Sequence, residues 1–200
     1  MNKMLKKITS VALAIAMVVT TVYVGNPTTA QAKVTIKSKK TVTLIAGNSS
    51  KIKVKQKGAK FTSSNKKIAT VTKRGKVTAK RPGACKIVVK VGKSKKRVPV
   101  TVTPPNITID KAKNASDKGI EVMWEKSGNR YITGYYVYYS TNAKRGFKSV
   151  KVGNVSRTKI DNLTVGKTYY FKVKAYSKVG KKIYTSAKYS GVVSDKVRKM

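Results

Sequence analysis

The chain has 200 residues, in which 46 lysines and arginines stand against only six aspartates and glutamates, for a formal net charge of +40. It contains no histidine and one cysteine, which excludes Ser-His-Asp and Cys-His catalytic arrangements and zinc sites built from imidazoles or several thiolates. A surface with this much positive charge attracts polyanions, so the composition favours a binding role over catalysis.

The first 32 residues have the pattern of a secretory signal peptide. Three lysines among the first seven residues precede an apolar run at 8–24, and the small-residue site Ala30-Gln31-Ala32 follows. Cleavage after Ala32 would leave a secreted chain of residues 33–200, with no later segment long and apolar enough to cross a membrane. The alternative is an uncleaved membrane anchor, because the run approaches the length of a membrane span. The chain ends without a Leu-Pro-x-Thr-Gly sorting motif, so we expect any association with the cell wall to be non-covalent.

Short runs of alternating apolar and polar residues dominate the first half of the predicted secreted chain. In 51–55, isoleucine and valine alternate with lysine, and 85–91 and 97–102 follow the same rule. A period of two residues is typical of a β-strand with one face on a core and the other in water. The lysines are therefore predicted to fill the outward half of each strand.

Cys85 follows the same alternation. It is in step with Ile87 and Val89, which predicts a buried and unreactive thiol. A single cysteine cannot form an intramolecular disulfide, so no disulfide partner is required. For an exported protein the alternative is pairing between chains or chemical reactivity.

The pair Pro104-Pro105 marks a predicted domain boundary, because adjacent prolines cannot continue a central strand and they stiffen a connection. Residues 33–103 contain 22 basic and no acidic residues, whereas residues 104–200 contain 21 basic and all six acidic residues. Ten of the eleven tyrosines lie within 131–189. We predict a signal peptide at 1–32, a first domain at 33–103 and a second domain at 104–200.

Four segments of the first half are similar to the bacterial immunoglobulin-like group 2 domain. They are Phe61–Asn65, Ile68–Val71, Gly75–Thr78 and Gly83–Ile87, and the resemblance as a whole covers about 34–102. Phe61 stands where the family usually has a tryptophan. Cys85 occupies a position that commonly holds a small buried residue.

The second half resembles a fibronectin type III domain over about 105–194. Val122-x-Trp124 is similar to the strand that carries the core tryptophan of that family. Leu163–Ala175 is similar to its best motif, with Tyr169 at the tyrosine-corner position and Val165 in place of the usual proline. The two resemblances imply an all-β protein made of two tandem immunoglobulin-like β-sandwiches. Both families serve as recognition and spacing modules.

The carboxylates of the chain do not indicate catalysis. Glu121 and Glu125 point the same way on one predicted strand, but four strand residues separate them by about 13 Å. That exceeds the spacings of hydrolytic carboxylate pairs, and we expect both to pair with lysines on a neighbouring strand. The four aspartates form no dense cluster for calcium, and no glycine-rich loop precedes a helix. The sequence predicts no catalytic residue, no metal site, no cofactor and no enzyme activity.

Two tyrosine-rich strands are predicted to present a candidate ligand-binding face. In 135–139 and 169–176, counting by two sends one set of side chains inward and the other outward, and the fibronectin resemblance implies that these strands are neighbours. The outward set comprises Tyr136, Tyr138, Tyr170, Lys172, Lys174 and Tyr176. Aromatic rings interleaved with cations can stack on sugar rings or bases while holding phosphates. The alternative is that these residues only stabilise the sheet.

The excess charge is mostly lysine, with 39 lysines against seven arginines. Lysine is a point charge, whereas the planar arginine fork suits bidentate recognition, so we expect salt-sensitive adherence without sequence reading. The predicted function is a secreted, non-enzymatic binding or adhesion module of the bacterial envelope. Its predicted partners are anionic cell-wall polymers or glycans, with non-specific nucleic-acid binding as a variant. Two alternatives are a structural spacer, whose lysines serve only solubility, and an accessory carbohydrate-binding protein for a separate enzyme.

Overall fold

The computed structural model describes residues 33–200 as an all-β structure. Within this range the chain forms fifteen strands and no helix, and hence no helix that could cross a membrane. The buried apolar residues form two separate clusters, one within 34–102 and the other within 107–197. The prediction of two β-sandwiches is confirmed. The predicted signal peptide lies outside the described residues.

The first sandwich consists of two sheets packed on a common core. Its strands are β1 (Val42–Ile45), β2 (Ser49–Lys51), β3 (Lys60–Ser63), β4 (Ala69–Val71), β5 (Lys76–Ala79), β6 (Gly83–Val91) and β7 (Ser94–Thr103). One sheet has the order β1-β7-β6-β3 and the other the order β2-β5-β4. β1 pairs in parallel with β7, and the other pairings are antiparallel.

The predicted alternation of side chains orients these strands. Along β6, Cys85, Ile87 and Val89 are buried while Lys86 and Lys90 are exposed, and three valines of β7 continue the buried row. Burying one such apolar side chain stabilises the fold by roughly 1.5–3 kcal/mol relative to leaving it exposed. Turning either strand over would bury its lysines, so the alternating pattern determines which face of the strand is exposed to solvent.

The Cys85 thiol is buried, as predicted. Its residue is 8% exposed. Burial raises the pKa of the thiol, and hydrogen bonds involving Ser63 and Ala69 offset part of that rise. A thiol with a raised pKa has little thiolate at neutral pH and is a poor nucleophile.

The second sandwich also has two sheets. Its strands are β8 (Ile109–Ser116), β9 (Gly119–Trp124), β10 (Gly134–Ser140), β11 (Lys148–Val152), β12 (Arg157–Ile160), β13 (Thr168–Val179), β14 (Lys182–Thr185) and β15 (Val193–Lys196). One sheet has the order β12-β9-β8, and the other has β11-β10-β13 with β14 and β15 both paired to β13. The buried rings of Trp124 and Tyr135 lie 5.3 Å apart between the sheets, next to Phe171 in the same core.

Tyr169 forms the corner that the resemblance to fibronectin type III domains implies. Its hydroxyl accepts a hydrogen bond of 3.1 Å from the backbone N–H of Thr164, five residues upstream. The residue is 9% exposed, and its ring packs on the ring of Tyr139 with 6.5 Å between the centroids. This contact anchors the turn before β13 and so helps to set the register in which β13 pairs with β10.

Pro104 and Pro105 lie between the last strand of the first sandwich and the first strand of the second. The carbonyl of Pro105 accepts a hydrogen bond of 2.6 Å from the hydroxyl of Ser186. This linker residue is therefore held by the second sandwich. The domain boundary at residue 104 stays a prediction.

Candidate functional site

β10 and β13 are antiparallel neighbours, as the fibronectin resemblance implies. Tyr138 stands directly opposite Lys172, and Tyr136 directly opposite Lys174. Because directly opposite residues of an antiparallel pair point to the same side, the tyrosines and lysines form a single surface. We call this outer surface of β10 and β13 the tyrosine–lysine face. Its members are the six predicted residues Tyr136, Tyr138, Tyr170, Lys172, Lys174 and Tyr176.

Five of these six side chains lie half-buried on the face, namely Tyr136, Tyr138, Tyr170, Lys172 and Lys174. Tyr170 lies towards one end of the pairing, opposite Ser140. The side chains between them, including Tyr135 and Val137, point into the core and are fully buried. Period-two counting therefore assigned inward and outward positions correctly along this part of both strands.

Tyr176 needs a correction. It has the predicted outward position, but it is only 5% exposed, so its ring is not available for a ligand. The ring covers Gly134, its cross-strand partner, where an added Cβ would lie 2.9 Å from the ring. The ring of Tyr136 packs on it at 5.0 Å, and the Lys151 ammonium lies 4.8 Å from its centroid. Tyr176 serves packing because its neighbours cover it.

Sequence reasoning missed Tyr189 and Phe147, which belong to neither central strand. The Tyr189 ring meets Tyr138 edge-on at 5.0 Å. The Lys172 ammonium lies 3.7 Å from the Phe147 centroid and 4.1 Å from the Tyr189 centroid, and the Lys174 ammonium lies 4.0 Å from the Tyr189 centroid. Both lysines of the face are thus held against aromatic rings of the same domain.

Tyr189 reaches the face because its segment is fixed to the edge of β13. The backbone N–H groups of Val173 and Ala175 donate hydrogen bonds to the hydroxyls of Ser190 at 2.8 Å and Ser186 at 3.1 Å. These two serines flank Tyr189 in sequence. The Ser-x-x-x-Ser spacing was the one available signal, and it does not by itself show which strand the serines would contact.

Burial and neighbouring side chains shift the pKa values of two residues of the face. Burial lowers the pKa of Lys174, and the nearby charge of Lys172 lowers it further. Burial also raises the pKa of the Tyr138 hydroxyl, and the neighbouring Tyr189 and Tyr136 add to that rise. Neither lysine forms an ion pair with a carboxylate within residues 33–200. The face therefore presents phenol rings beside two ammonium groups that contact aromatic rings.

Each such cation–π contact is worth about 0.5–1 kcal/mol at an exposed site. The three contacts of Lys172 and Lys174 stabilise the sheet, and they also occupy ring surface that a sugar would need. Tyr189 itself remains 43% exposed. Beside the half-buried Tyr136, Tyr138 and Tyr170, this surface therefore includes one exposed aromatic ring with two adjacent cations.

The carboxylates are dispersed over the second sandwich. Glu121 forms an ion pair of 3.9 Å with Arg157 on β12, so the expectation that it pairs with a lysine is wrong. Lys159, directly opposite Glu121, instead reaches Asp161 at 3.0 Å. Among residues 33–200, no group of three or more cysteine, aspartate or glutamate side chains is arranged to hold a metal ion.

These features define a modular all-β protein with two tandem β-sandwiches. Sequence profiles of known families identify both modules. The profile of the bacterial Ig-like domain (group 2) matches residues 19–102, beginning outside the described residues, and that of the fibronectin type III domain matches residues 102–192. The chain carries a bacterial Ig-like domain of group 2 followed by a fibronectin type III domain, as the sequence predicted.

No curated protein sequence is significantly similar to this chain. Solved structures similar to it include the FN1–FN3 domains of chicken CNTN1, at 16% identity over 79% of this chain and 62% of that one, with a TM-score of 0.41. A fibronectin type III domain of human contactin 1 is 17% identical over 46% of this chain and 75% of that one, with a TM-score of 0.37. A beta-1,2-glucanase from Parabacteroides distasonis is 19% identical over 64% of this chain and 18% of that one, with a TM-score of 0.39.

Proposed function

We propose that this protein is a secreted, non-enzymatic binding module of the bacterial cell envelope, held non-covalently to anionic polymers by its lysine-rich surfaces. Domains of both families fit an extracellular binding or spacer role and are generally non-catalytic. The observation that carries the proposal is the charge of the first sandwich. Residues 33–103 contain 22 basic and no acidic residues, and its strands turn their lysines outward, as in β6.

A polymer is the ligand that such a surface suits. One exposed ion pair contributes only about 0.2–1 kcal/mol, so a small anion would bind weakly. A chain of anionic groups can contact many lysines at once, and each further contact is made at high effective concentration. Because the contacts are exposed, salt should weaken them strongly.

The test measures how much purified protein sediments with isolated cell walls as sodium chloride is raised. Screening shortens the Debye length from about 10 Å at 0.1 M salt to about 3 Å at 1 M. We expect retention at low salt and release at high salt, with added DNA competing only partly. Retention that ignores salt, or no retention at any salt, contradicts the proposal. Equal competition by DNA would show that charge alone selects the partner.

A second candidate is carbohydrate binding at the tyrosine–lysine face. It is favoured by the exposed ring of Tyr189, which meets Tyr138 at 5.0 Å and has two ammonium groups close to its centroid. Stacking on a neutral sugar does not depend on charge, so a glycan-bound fraction should survive high salt. That fraction should fall in Tyr138→Ala, which keeps the net charge. If the salt-resistant fraction is absent or unchanged by the substitution, the face serves packing alone.

A further inference from the structure

An open groove of about 730 Å³ lies on the first sandwich, beside β2 and β5 and the turn that joins β4 to β5. Four cationic residues line it, namely Lys51, Lys73, Arg74 and Lys76, together with the two serines of β2 and Thr72. All four cationic residues are exposed. The lining includes neither a carboxylate nor an aromatic ring.

Two of these lysines face each other without a counter-charge. Lys51 on β2 stands directly opposite Lys76 on β5. Like charges at directly opposite positions destabilise a sheet, and residues 33–103 supply no acidic side chain that could relieve the repulsion. An anion bound between them would remove this unfavourable contact, so the pair favours occupancy by a negatively charged group.

The turn that carries Lys73 and Arg74 is held in one conformation. The N–H of Thr72 donates to the Lys76 carbonyl at 3.0 Å, and the N–H of Lys76 donates back to the Thr72 hydroxyl at 3.1 Å. Gly75 has a φ of +79°, and an added Cβ would lie 2.6 Å from the Ile52 carbonyl oxygen. A fixed turn loses less conformational entropy when a ligand binds.

We propose that this groove binds the phosphodiester groups of a polyol-phosphate polymer. An arginine fork can hold a phosphate through two parallel hydrogen bonds, and lysines add point charges. The Thr72 hydroxyl accepts a hydrogen bond from the Lys76 N–H, and it can still donate its own proton to a hydroxyl group or a phosphate oxygen of such a polymer. Nucleic acid is disfavoured because binding of single strands usually relies on aromatic rings for base stacking, and the groove lining has none. The inference rests on the proposed function and assigns it a site.

The same sandwich provides a matched control on its other sheet. Lys60, Lys90 and Lys95 lie directly opposite one another across β3, β6 and β7, and all three are exposed. We call them the lysine ladder. Replacing three ladder lysines removes as much charge as replacing the three groove lysines Lys51, Lys73 and Lys76, from the same domain. Any difference between the two triple variants therefore reflects location and not charge.

The experiment titrates immobilised poly(glycerol phosphate) with wild-type protein and with two variants. The groove variant is Lys51→Gln, Lys73→Gln and Lys76→Gln, and the ladder variant is Lys60→Gln, Lys90→Gln and Lys95→Gln. Three lost contacts of this kind should weaken binding by about tenfold. We expect that loss in the groove variant and less than about twofold in the ladder variant. Thermal unfolding checks that both variants are folded, as expected for exposed lysines that repel their neighbours.

The other outcomes separate the two proposals. Equal losses in both variants, or a loss only in the ladder variant, would overturn the groove while leaving adherence by charge intact. Undiminished binding by both variants would place the contacts elsewhere and would also overturn it. Failure of the wild-type protein to bind this polymer would overturn the groove, while its retention on isolated cell walls decides the proposed function separately. If oligo(dT) of equal charge binds as tightly, with the same loss in the groove variant, the assignment to a polyol phosphate is wrong.

Discussion

Gly134 shows how the absence of one side chain determines the packing of an aromatic ring. Tyr176 lies over it from the neighbouring strand, and the carbonyl oxygen of Val152 approaches from the other side. An added Cβ would lie 2.2 Å from that oxygen and 2.9 Å from the ring. The backbone oxygen cannot move without disturbing the pairing of β10 with β11. The glycine is therefore required by close approach on two sides.

Gly134→Ala is expected to lower the free energy of unfolding by about 1–3 kcal/mol, the usual range for overpacking a buried site. Chemical denaturation of the variant measures the loss. Gly128→Ala is the matched control, because an added Cβ there meets nothing within 4 Å, and its effect should stay within about 0.5 kcal/mol. If both variants unfold at the same denaturant concentration, Gly134 is not the constraint described.

At the scale of elements, Asp195 joins β15 to β8. Its carboxylate accepts hydrogen bonds from the backbone N–H of Asn114 at 2.7 Å, from that of Lys196 at 2.8 Å and from the Arg198 guanidinium at 3.0 Å. Burial alone would raise the pKa of Asp195, but these hydrogen bonds and the Arg198 charge outweigh it, so the pKa is lowered. The ionised form is therefore bound more tightly by the folded state than by the unfolded one.

A carboxyl group with a lowered pKa stabilises the fold above its unfolded value of about 3.9 and loses that contribution as the pH falls through the folded value. Asp195→Asn should therefore cost about 1–2 kcal/mol at pH 7, because it removes charge-assisted hydrogen bonds. The difference from wild type should shrink as the pH falls below about 3.9. Urea unfolding at several pH values measures it.

Asp161→Asn is the control for Asp195. The Asp161 side chain is half exposed and pairs with Lys159 at 3.0 Å, and surface pairs of this kind contribute about 0–1 kcal/mol. We expect a small effect with little change between pH 7 and acid. A destabilisation by Asp195→Asn that stays the same at low pH would mean that shape, and not charge, is what the position requires.

The features that the sequence predicted depend on residues close together in the chain, whereas the features that it missed depend on residues far apart. Alternation along β6 depends on neighbours within a few residues, so the pattern alone was sufficient, and the resemblance to fibronectin type III domains implied the corner at Tyr169. The burial of Tyr176 depends on its register against Gly134, and the position of Tyr189 depends on serines that contact β13 through its backbone. Those contacts join segments distant in sequence, and the local pattern, including the two serines beside Tyr189, does not show which strand each segment meets. The groove combines β2 with a turn more than twenty residues later, so period-two counting could not have found it.

For the whole molecule, the charge is distributed unequally between the two sandwiches. The clusters around Val77 and around Trp124 share no residue, so the two sandwiches are expected to unfold as separate cooperative units. The first contains 22 basic residues and no acid, whereas all six acids lie in the second. Trp124 is the one tryptophan of the sequence. Its fluorescence therefore reports on the second sandwich alone, while calorimetry detects both.

Salt should stabilise the first sandwich more than the second. Self-repulsion between like charges weakens a compact state, and it acts most strongly where no carboxylate intervenes. Raising the salt concentration from about 0.01 M to 1 M shortens the Debye length from about 30 Å to about 3 Å, which removes most of that repulsion. A gain of 1 kcal/mol raises the Tm of a domain of this size by about 4–8 °C. The calorimetric transition that tryptophan fluorescence does not follow should move upward by more than the other.

The lysine ladder variant provides the control for this expectation. Replacing Lys60, Lys90 and Lys95 removes three charges that stand directly opposite one another. In low salt, the unfolding transition of the first sandwich should therefore move to a higher temperature. It should then respond less to added salt, because less repulsion remains to be screened. An equal salt response in both transitions, or an unchanged response in the variant, would mean that the uneven distribution of charge has little effect on folding stability. The positive charge would then matter only for what the protein binds.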